Sequence, residues 1–483
     1  MEPTAMGVVA IAAAAFLFRA PPSRLLCLTL FMIIFGASAA AQLSALGGAS
    51  APPAQVVLGL LLVRLLVDQH QRNNILAAAQ ANAPFIFFVG YAIVSAFVLP
   101  RLFAGTMYVV AERPLIVGSR VVLEPLGPTS ANLTQLFYIL STAAVMLAAN
   151  MIARRENLIT PLSRTMIILG VLHVAFGVID QAAFYLHLGD LLGFIKNGNY
   201  AQVGPQLFSS GVKRISGSFP EPSSYATVGF PIAVFLTEWW MRRPRAPWAG
   251  LTALGVVLMI LLSTASTGYA SLAGYAIFLA LRGLRGPFEG YRASKALIIT
   301  FVGLFGTVSA LALVALQPQQ AAMWADLINS LTLGKLGSSS ATERLGWAHQ
   351  GWDAFKLSSG LGVGVGSFRS SSLAMALIGS VGILGCTAFI LQMARIAWPR
   401  IQTGVLEVDA LTATAQWTAL LSLLPLFISG STPDPALIFG VFAGVASAAP
   451  ARRLLGSHSP FPAYPIRERI DYTIPGARQG RSG

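Results

Sequence analysis

Residues 83–99 read APFIFFVGYAIVSAFVL, a run with no charged side chain. A helix rises about 1.5 Å per residue, so such a run with its flanks crosses the roughly 30 Å of hydrocarbon in a bilayer. Comparable blocks recur at 5–18, 25–46, 54–67, 133–152, 162–186, 223–240, 247–263, 268–282, 296–316, 371–394, 409–429 and 434–449. They are continuous rather than alternating, which spells helices and not the strands of an outer-membrane barrel. The chain of 483 residues is 55% hydrophobic and 10% charged, with mean hydropathy +0.69, more apolar surface than a water-soluble core can bury. The expected fold class is all-α, a polytopic membrane helical bundle of about 12–13 transmembrane helices with long periplasmic loops carrying short helices.

The net charge of +14 is distributed as the positive-inside rule demands. With the chain end after Ala449 in the cytoplasm, alternation puts Arg154 and Arg155, then Arg242, Arg243 and Arg245, then Arg282, Arg285, Arg292 and Lys295 on the same side. The organisation that follows is helices in 1–99, an external loop at 100–132, helices in 133–186, a loop at 187–222, helices in 223–316, a long loop at 317–370, helices in 371–450, and a basic, disordered cytoplasmic tail at 451–483. The expected location is a bacterial inner membrane with the active face periplasmic. Residues Arg24 to Gln42 imitate a signal peptide, but apolar sequence already precedes them, and they read as an ordinary second span. Cys27 and Cys386 fall inside spans and carry no disulfide information. No basic run is interleaved with aromatic residues, which excludes nucleic acid as a partner.

Unusual residues concentrate in the external loops. The 187–222 loop is rich in Gly, Pro and Ser, hence irregular. In the 317–370 loop, Ser340 and Glu343 form a capping box that starts a helix near Ala341, and the helix runs to about Leu357. Gly360, Gly362, Gly364 and Gly366 follow at every second position. They are no dinucleotide fingerprint, which needs a preceding strand, and read as mobile backbone open to close approach by a ligand or a span. The 100–132 loop has β-branched residues between turn formers and is expected to form a small hairpin capping the surface, with Arg113 and Arg120 as possible aids to anion binding.

Three patches carry a family likeness: Arg214-Ile-Ser-Gly217-Ser-Phe-Pro-Glu221-Pro; Leu262-Ser-Thr-Ala-Ser-Thr-Gly268; and Arg344-Leu-Gly-Trp347-Ala-His349-Gln350 with Gly360 to Phe368 and Gly379 to Gly385. Together they resemble the bacterial O-antigen ligase and Wzy-type polysaccharide polymerase superfamily. In the ligase branch His349-Gln350, nine residues and Gly360-Leu-Gly fit the loop motif, but Val363 breaks its last position. The resemblance implies a metal-independent membrane glycosyltransferase without a cofactor. Its donor is an undecaprenyl-diphosphate-linked oligosaccharide, and its acceptor is another lipid-linked repeat unit (polymerase, preferred) or lipid A core (ligase). Its partners are membrane lipids and a chain-length regulator and flippase of the same pathway.

That chemistry needs cations for a lipid diphosphate, and arginine stays protonated and forks onto phosphate oxygens. Arg214 and Arg344 are the leading diphosphate ligands, with Lys213 and Arg369 assisting. The plainer role for any of them is a snorkelling anchor. The acceptor hydroxyl needs a base: His349, oriented by Asp353 one turn on, or Glu221, whose plainer role is to complement the following helix dipole. Arg344 and His349 lie about 140° apart around a helix, so they share no narrow face. Trp347 and Trp352 offer flat surfaces for sugar rings, or simple interface anchors. His173 and Asp180, seven apart in one span, support a rival class, a proton-coupled transporter or flippase, and a non-catalytic scaffold is a third possibility.

Overall fold

A computed structural model describes residues 2–43, 49–112, 116–117, 120–198, 213–243, 245–284, 339–398, 403 and 405–448. The expected span at 296–316, the tail at 451–483 and Arg113 lie outside them. The chain is mostly helical. Among the described residues five segments are long and apolar enough to cross a membrane, Ala83–Leu102, Ser130–Arg155, Ile159–Tyr185, Leu373–Ala397 and Leu406–Ser429, consistent with a chain that crosses several times.

In chain order the helices are α1 (Ala5–Leu17), α2 (Pro22–Met32), α3 (Pro53–Val67), the short α4 (Gln69–Arg72) and α5 (Ile75–Ala81), α6 (Ala83–Leu102), α7 (Ser130–Arg155) and α8 (Ile159–Tyr185). There follow α9 (Pro222–Arg242), α10 (Pro247–Leu262), α11 (Ser266–Leu284), α12 (Ser339–Leu357), α13 (Leu373–Ala397), α14 (Leu406–Leu421), α15 (Leu424–Ser429) and α16 (Leu437–Ser447). Their starts are written locally. Thr4 Oγ1 accepts from Gly7 N at 3.1 Å to cap α1, and α2, α3, α9 and α10 open on proline, whose missing N–H costs nothing in the first turn.

Up-and-down connectivity gives the bundle two unlike ends. At one, Arg154 and Arg155 close α7, Arg242 closes α9 and Arg395 closes α13, each favouring the negative pole of its helix. At the other, the loops interlock: Arg369 N donates to Val110 O (2.8 Å), Ser370 N to Ser431 O (3.1 Å) and Ala37 N to Ser218 O (2.9 Å).

Several apolar blocks break where an unbroken span is expected. The block at 25–46 is helical only to Met32; beyond it Ala39 N is held by Asn197 Oδ1 (2.8 Å) and Ser38 Oγ donates to Ile195 O. The strand Ala41–Leu43 then pairs with Glu2–Pro3 and Ala49–Ala51 in a small antiparallel sheet. The block at 409–429 divides into α14 and α15, and the segment before α16 carries Asp434 into the bundle, where Thr142 Oγ1 donates to its Oδ1 at 2.7 Å. Irregular backbone at such depth is tolerated because protein, not lipid, surrounds it.

The glycine run is a correction to the sequence reading: it is packed, not mobile. Gly360, Gly362, Gly364 and Gly366 all have positive φ (87°, 85°, 115°, 76°), while Val363 and Val365 between them are fully buried. The run slots into α13 at Gly382 (φ 54°), where Val363 N donates to Gly379 O (2.8 Å), Gly364 N to Ser380 O (3.2 Å) and Ile383 N to Gly360 O (2.8 Å). A Cβ on Gly362 would stand 2.5 Å from Ser380 O. The close approach expected of these glycines is therefore to a neighbouring helix of the same chain.

The 100–132 segment forms two short antiparallel pairs, Tyr108–Val109 with Glu124–Pro125, and Ile116–Val117 with Arg120–Val121. This hairpin is tied to α12 by Gln350, which accepts from Val110 N (3.3 Å) and donates to Tyr108 O (3.3 Å).

Candidate functional site

Arg214 stands in the segment leading into α9, and its guanidinium reaches the turn between α10 and α11. Nε donates to Thr264 Oγ1 (3.3 Å) and an Nη to Thr264 O (3.4 Å). Thr264 has φ 53°, a left-handed conformation that a β-branched residue adopts only under constraint. Such outliers cluster where structure serves function. Burial holds the Arg214 pKa below its ordinary value; Glu221 opposes this, the Arg344 charge lowers it by a smaller amount, and Tyr269 opposes it least. Arginine does not deprotonate at such a site. The depression is instead the cost of holding a guanidinium partly out of water, to which Arg344 adds a smaller repulsion, and a bound anion would offset both.

The rest of this cluster comes from three separate stretches. Glu221 precedes α9 and accepts from Ser223 Oγ and, at 3.4 Å, from Ser224 Oγ. Tyr269 lies in the first turns of α11 with its hydroxyl donated to Leu261 O (2.9 Å). Arg344 sits on α12, half-buried, its carbonyl accepting from Ser371 Oγ at the entry to α13. Among the described residues the Arg344 guanidinium has no hydrogen bond or ion pair. Thr264 and Tyr269 carry no role in the sequence reading; the signal was the Ser-Thr-Ala-Ser-Thr-Gly-Tyr run at 263–269, whose backbone strain is invisible in its letters.

The other expected site residues are placed differently. Lys213 is buried in an ion pair, its Nζ 2.7 Å from Asp180 Oδ1 with side chains 7% and 5% exposed, so its charge is spent inside the protein. His349 is 69% exposed on the outer face of α12, its Nδ1 3.5 Å from Asp353 Oδ2, and Lys356 Nζ holds the other Asp353 oxygen at 2.9 Å. Arg369 is built into the cap: it donates to Glu112 O (3.4 Å) and lies over the Trp347 ring at 5.2 Å. One face of Trp347 is thus covered by a guanidinium, and Trp352 stacks on Phe355 with centroids 5.4 Å apart. Arg120 stands in the hairpin strand Arg120–Val121. Arg344 and Glu221 thus lie within electrostatic reach of Arg214, while His349, Lys213 and Arg369 have other partners.

His173 and Asp180 share a helix but not a partner. The His173 ring is buried and stacked on Tyr225 at 3.8 Å, with the Tyr225 hydroxyl donated to His173 O (2.8 Å), while Asp180 turns to Lys213. Among the described residues no group of three or more His, Cys, Asp or Glu converges as a metal-ligand set.

Glu112 is a further acid in the cap, half-buried with its Oε1 enclosed. Burial pushes its carboxyl up to about 8, against a smaller opposing pull from Arg369. A group whose pKa rises on folding stabilises the fold below its unfolded value and loses that contribution as pH climbs through the folded one. Stability is thus expected to decline from about pH 4.5 to about pH 8, and Glu112→Gln to flatten the slope. Thermal unfolding of both proteins across that window is the check; parallel curves would acquit Glu112.

No family model matches the chain, and no curated protein matches it.

Proposed function

We propose that this chain is a multi-pass inner-membrane glycosyltransferase of 12–13 spans that polymerises lipid-linked repeat units at the periplasmic face. The observation that carries the reading is that Arg344, from a second loop, and the Glu221 carboxylate both act electrostatically on Arg214. Two guanidinium groups suit the two phosphates of undecaprenyl diphosphate, the leaving group of the transfer. The basic opposite end supports the orientation.

Glu221 is the better base. In the transfer the acceptor hydroxyl oxygen bonds to the anomeric carbon as that carbon's bond to the diphosphate oxygen breaks. The hydroxyl proton passes to the Glu221 carboxylate, and the lipid diphosphate departs held by Arg214 and Arg344. Glu221 acts electrostatically on Arg214, whereas His349 faces outward with Asp353 and Lys356 for company. The ligase alternative keeps one feature in its favour, the spacing of His349-Gln350 to Gly360. The flippase loses its main support, because His173 and Asp180 do not form a relay.

Purified protein in liposomes, given undecaprenyl-diphosphate-linked repeat units without nucleotide or metal, is expected to form glycosidic bonds. Glu221→Gln should slow that reaction by roughly 100-fold or more, the usual worth of a general base, and His349→Ala should change it only a few-fold. Loss of activity in His349→Ala with activity kept in Glu221→Gln would reverse the assignment. Translocation without bond formation would replace the enzyme with a flippase.

A further inference from the structure

We infer that Asp180 is the positioning residue for Arg214, an inference that rests on reading Arg214 as a diphosphate ligand. The segment from Lys213 to Gly217 has no secondary structure of its own beyond an isolated bridge at Lys213, yet it must hold a long side chain at one spot. Asp180, near the end of α8, fixes it with both carboxylate oxygens. Oδ1 pairs with Lys213 Nζ (2.7 Å), and Oδ2 accepts from the amides of Ser216 (3.0 Å) and Gly217 (3.2 Å). Lys213 Nζ also donates to Asp180 O (2.6 Å), Gln181 Nε2 donates to Lys213 O (3.0 Å), and Lys213 N donates to the Tyr185 hydroxyl (3.4 Å). Gly217 has φ 54°, and a Cβ there would lie 2.9 Å from the Tyr225 ring, so the chain presses against the bundle at this point.

Residues on both sides of Arg214 are thus bound to α8, while its guanidinium extends to Thr264. A carboxylate needed only to neutralise Lys213 has no reason to gather two backbone amides on its second oxygen. The amides fix where the backbone turns, and that turn sets the direction in which Arg214 leaves it. A loosely held arginine would lose both entropy and register on binding phosphate, whereas a preset one does not.

The test compares two double variants of the full chain in nanodiscs, by equilibrium binding of undecaprenyl diphosphate. Asp180→Asn with Lys213→Met removes both buried charges together and keeps an acceptor for the two amides; Asp180→Ala with Lys213→Met removes the acceptor too. The alanine pair is expected to bind at least tenfold more weakly than the asparagine pair, and the gap should vanish when Arg214→Ala is added to each. Equal binding by the two pairs, or a gap that survives Arg214→Ala, overturns the inference. So does an alanine pair that fails to fold where the asparagine pair folds, since Asp180 would then serve stability. Should Arg214→Ala alone bind as wild type does, the diphosphate reading itself falls; if Arg214→Ala is weak and the two pairs match, only the role of Asp180 is lost.

Discussion

Arg214→Ala is expected to lower kcat/KM for chain extension by about two to four orders of magnitude while leaving the protein folded and inserted. A hydrogen bond to a charged group contributes about 1.5–3 kcal/mol, and a guanidinium forked onto a diphosphate makes two. At about 1.4 kcal/mol per factor of ten, loss of the fork comes to roughly 100- to 10,000-fold. Stability should move the other way. Arg214 is held in a half-buried place where partial loss of water disfavours its charge, so removing it relieves that desolvation and the melting temperature should stay level or rise. Arg214→Lys should recover part of the activity at most: a lysine is a point charge without the fork that binds Thr264 and phosphate together. Arg344→Ala should share the catalytic loss. Reconstituted chain-extension kinetics with thermal unfolding on the same samples separates the two effects. Wild-type rates in Arg214→Ala would dissolve the diphosphate site; a drop in melting temperature matching the drop in activity would recast Arg214 as a structural residue.

The part of this site that is legible in the sequence is the part set by composition. Apolar blocks announce helices because lipid and helix both demand uninterrupted runs, and charges stranded in loops beside them stand out. Arg214, Glu221 and Arg344 stand in such loops, but what singles them out is the patches that resemble the ligase and polymerase superfamily and the chemistry that resemblance implies. What was not legible depends on contacts between distant segments. The residues after Met32 read Ile-Ile-Phe-Gly-Ala-Ser-Ala-Ala, as apolar as any helix, and leave it because Asn197 and Ser218 offer their backbones other partners. Alternating glycines signalled close approach correctly, but their mobility was misread: the valines between them carry an apolar face that buries itself against α13. Lys213 reads as an assisting diphosphate ligand because the acid that pairs with it lies 33 residues away in sequence. Its partner Asp180 is on the preceding helix, and charges so placed can be paired only once the helix packing is known.

The same logic hid a buried charge network at the opposite end of the bundle, and disrupting it is the second large effect expected. Glu238, fully buried on α9, pairs with Arg242 one turn on, lies 3.7 Å from Arg282 of α11 and accepts from the Tyr275 hydroxyl at 3.0 Å. Arg282 also lies over the Trp417 ring of α14 at 4.8 Å, so the carboxylate ties α9 to α11 and Arg282 carries the link on to α14. In sequence these arginines read simply as positive-inside residues, but two of them surround an acid. Removing one member of a buried pair costs about 3–5 kcal/mol because the remaining charge has no water to return to. Glu238→Ala should therefore deplete folded protein in detergent, leaving Arg242 with its side chain 2% exposed and its main counter-charge gone. Glu238→Gln keeps an acceptor for Tyr275 and should cost less. Replacing Glu238 and Arg242 together by leucines should recover much of the loss, since a well-packed apolar pair replaces an ionic one at little cost. The recovery distinguishes charge from shape: if the leucine pair is as unstable as Glu238→Ala, the deficit comes from lost ties to Tyr275 and Arg282 and not from an orphaned Arg242. Fluorescence-detected size-exclusion after graded heating reads all three variants on one scale.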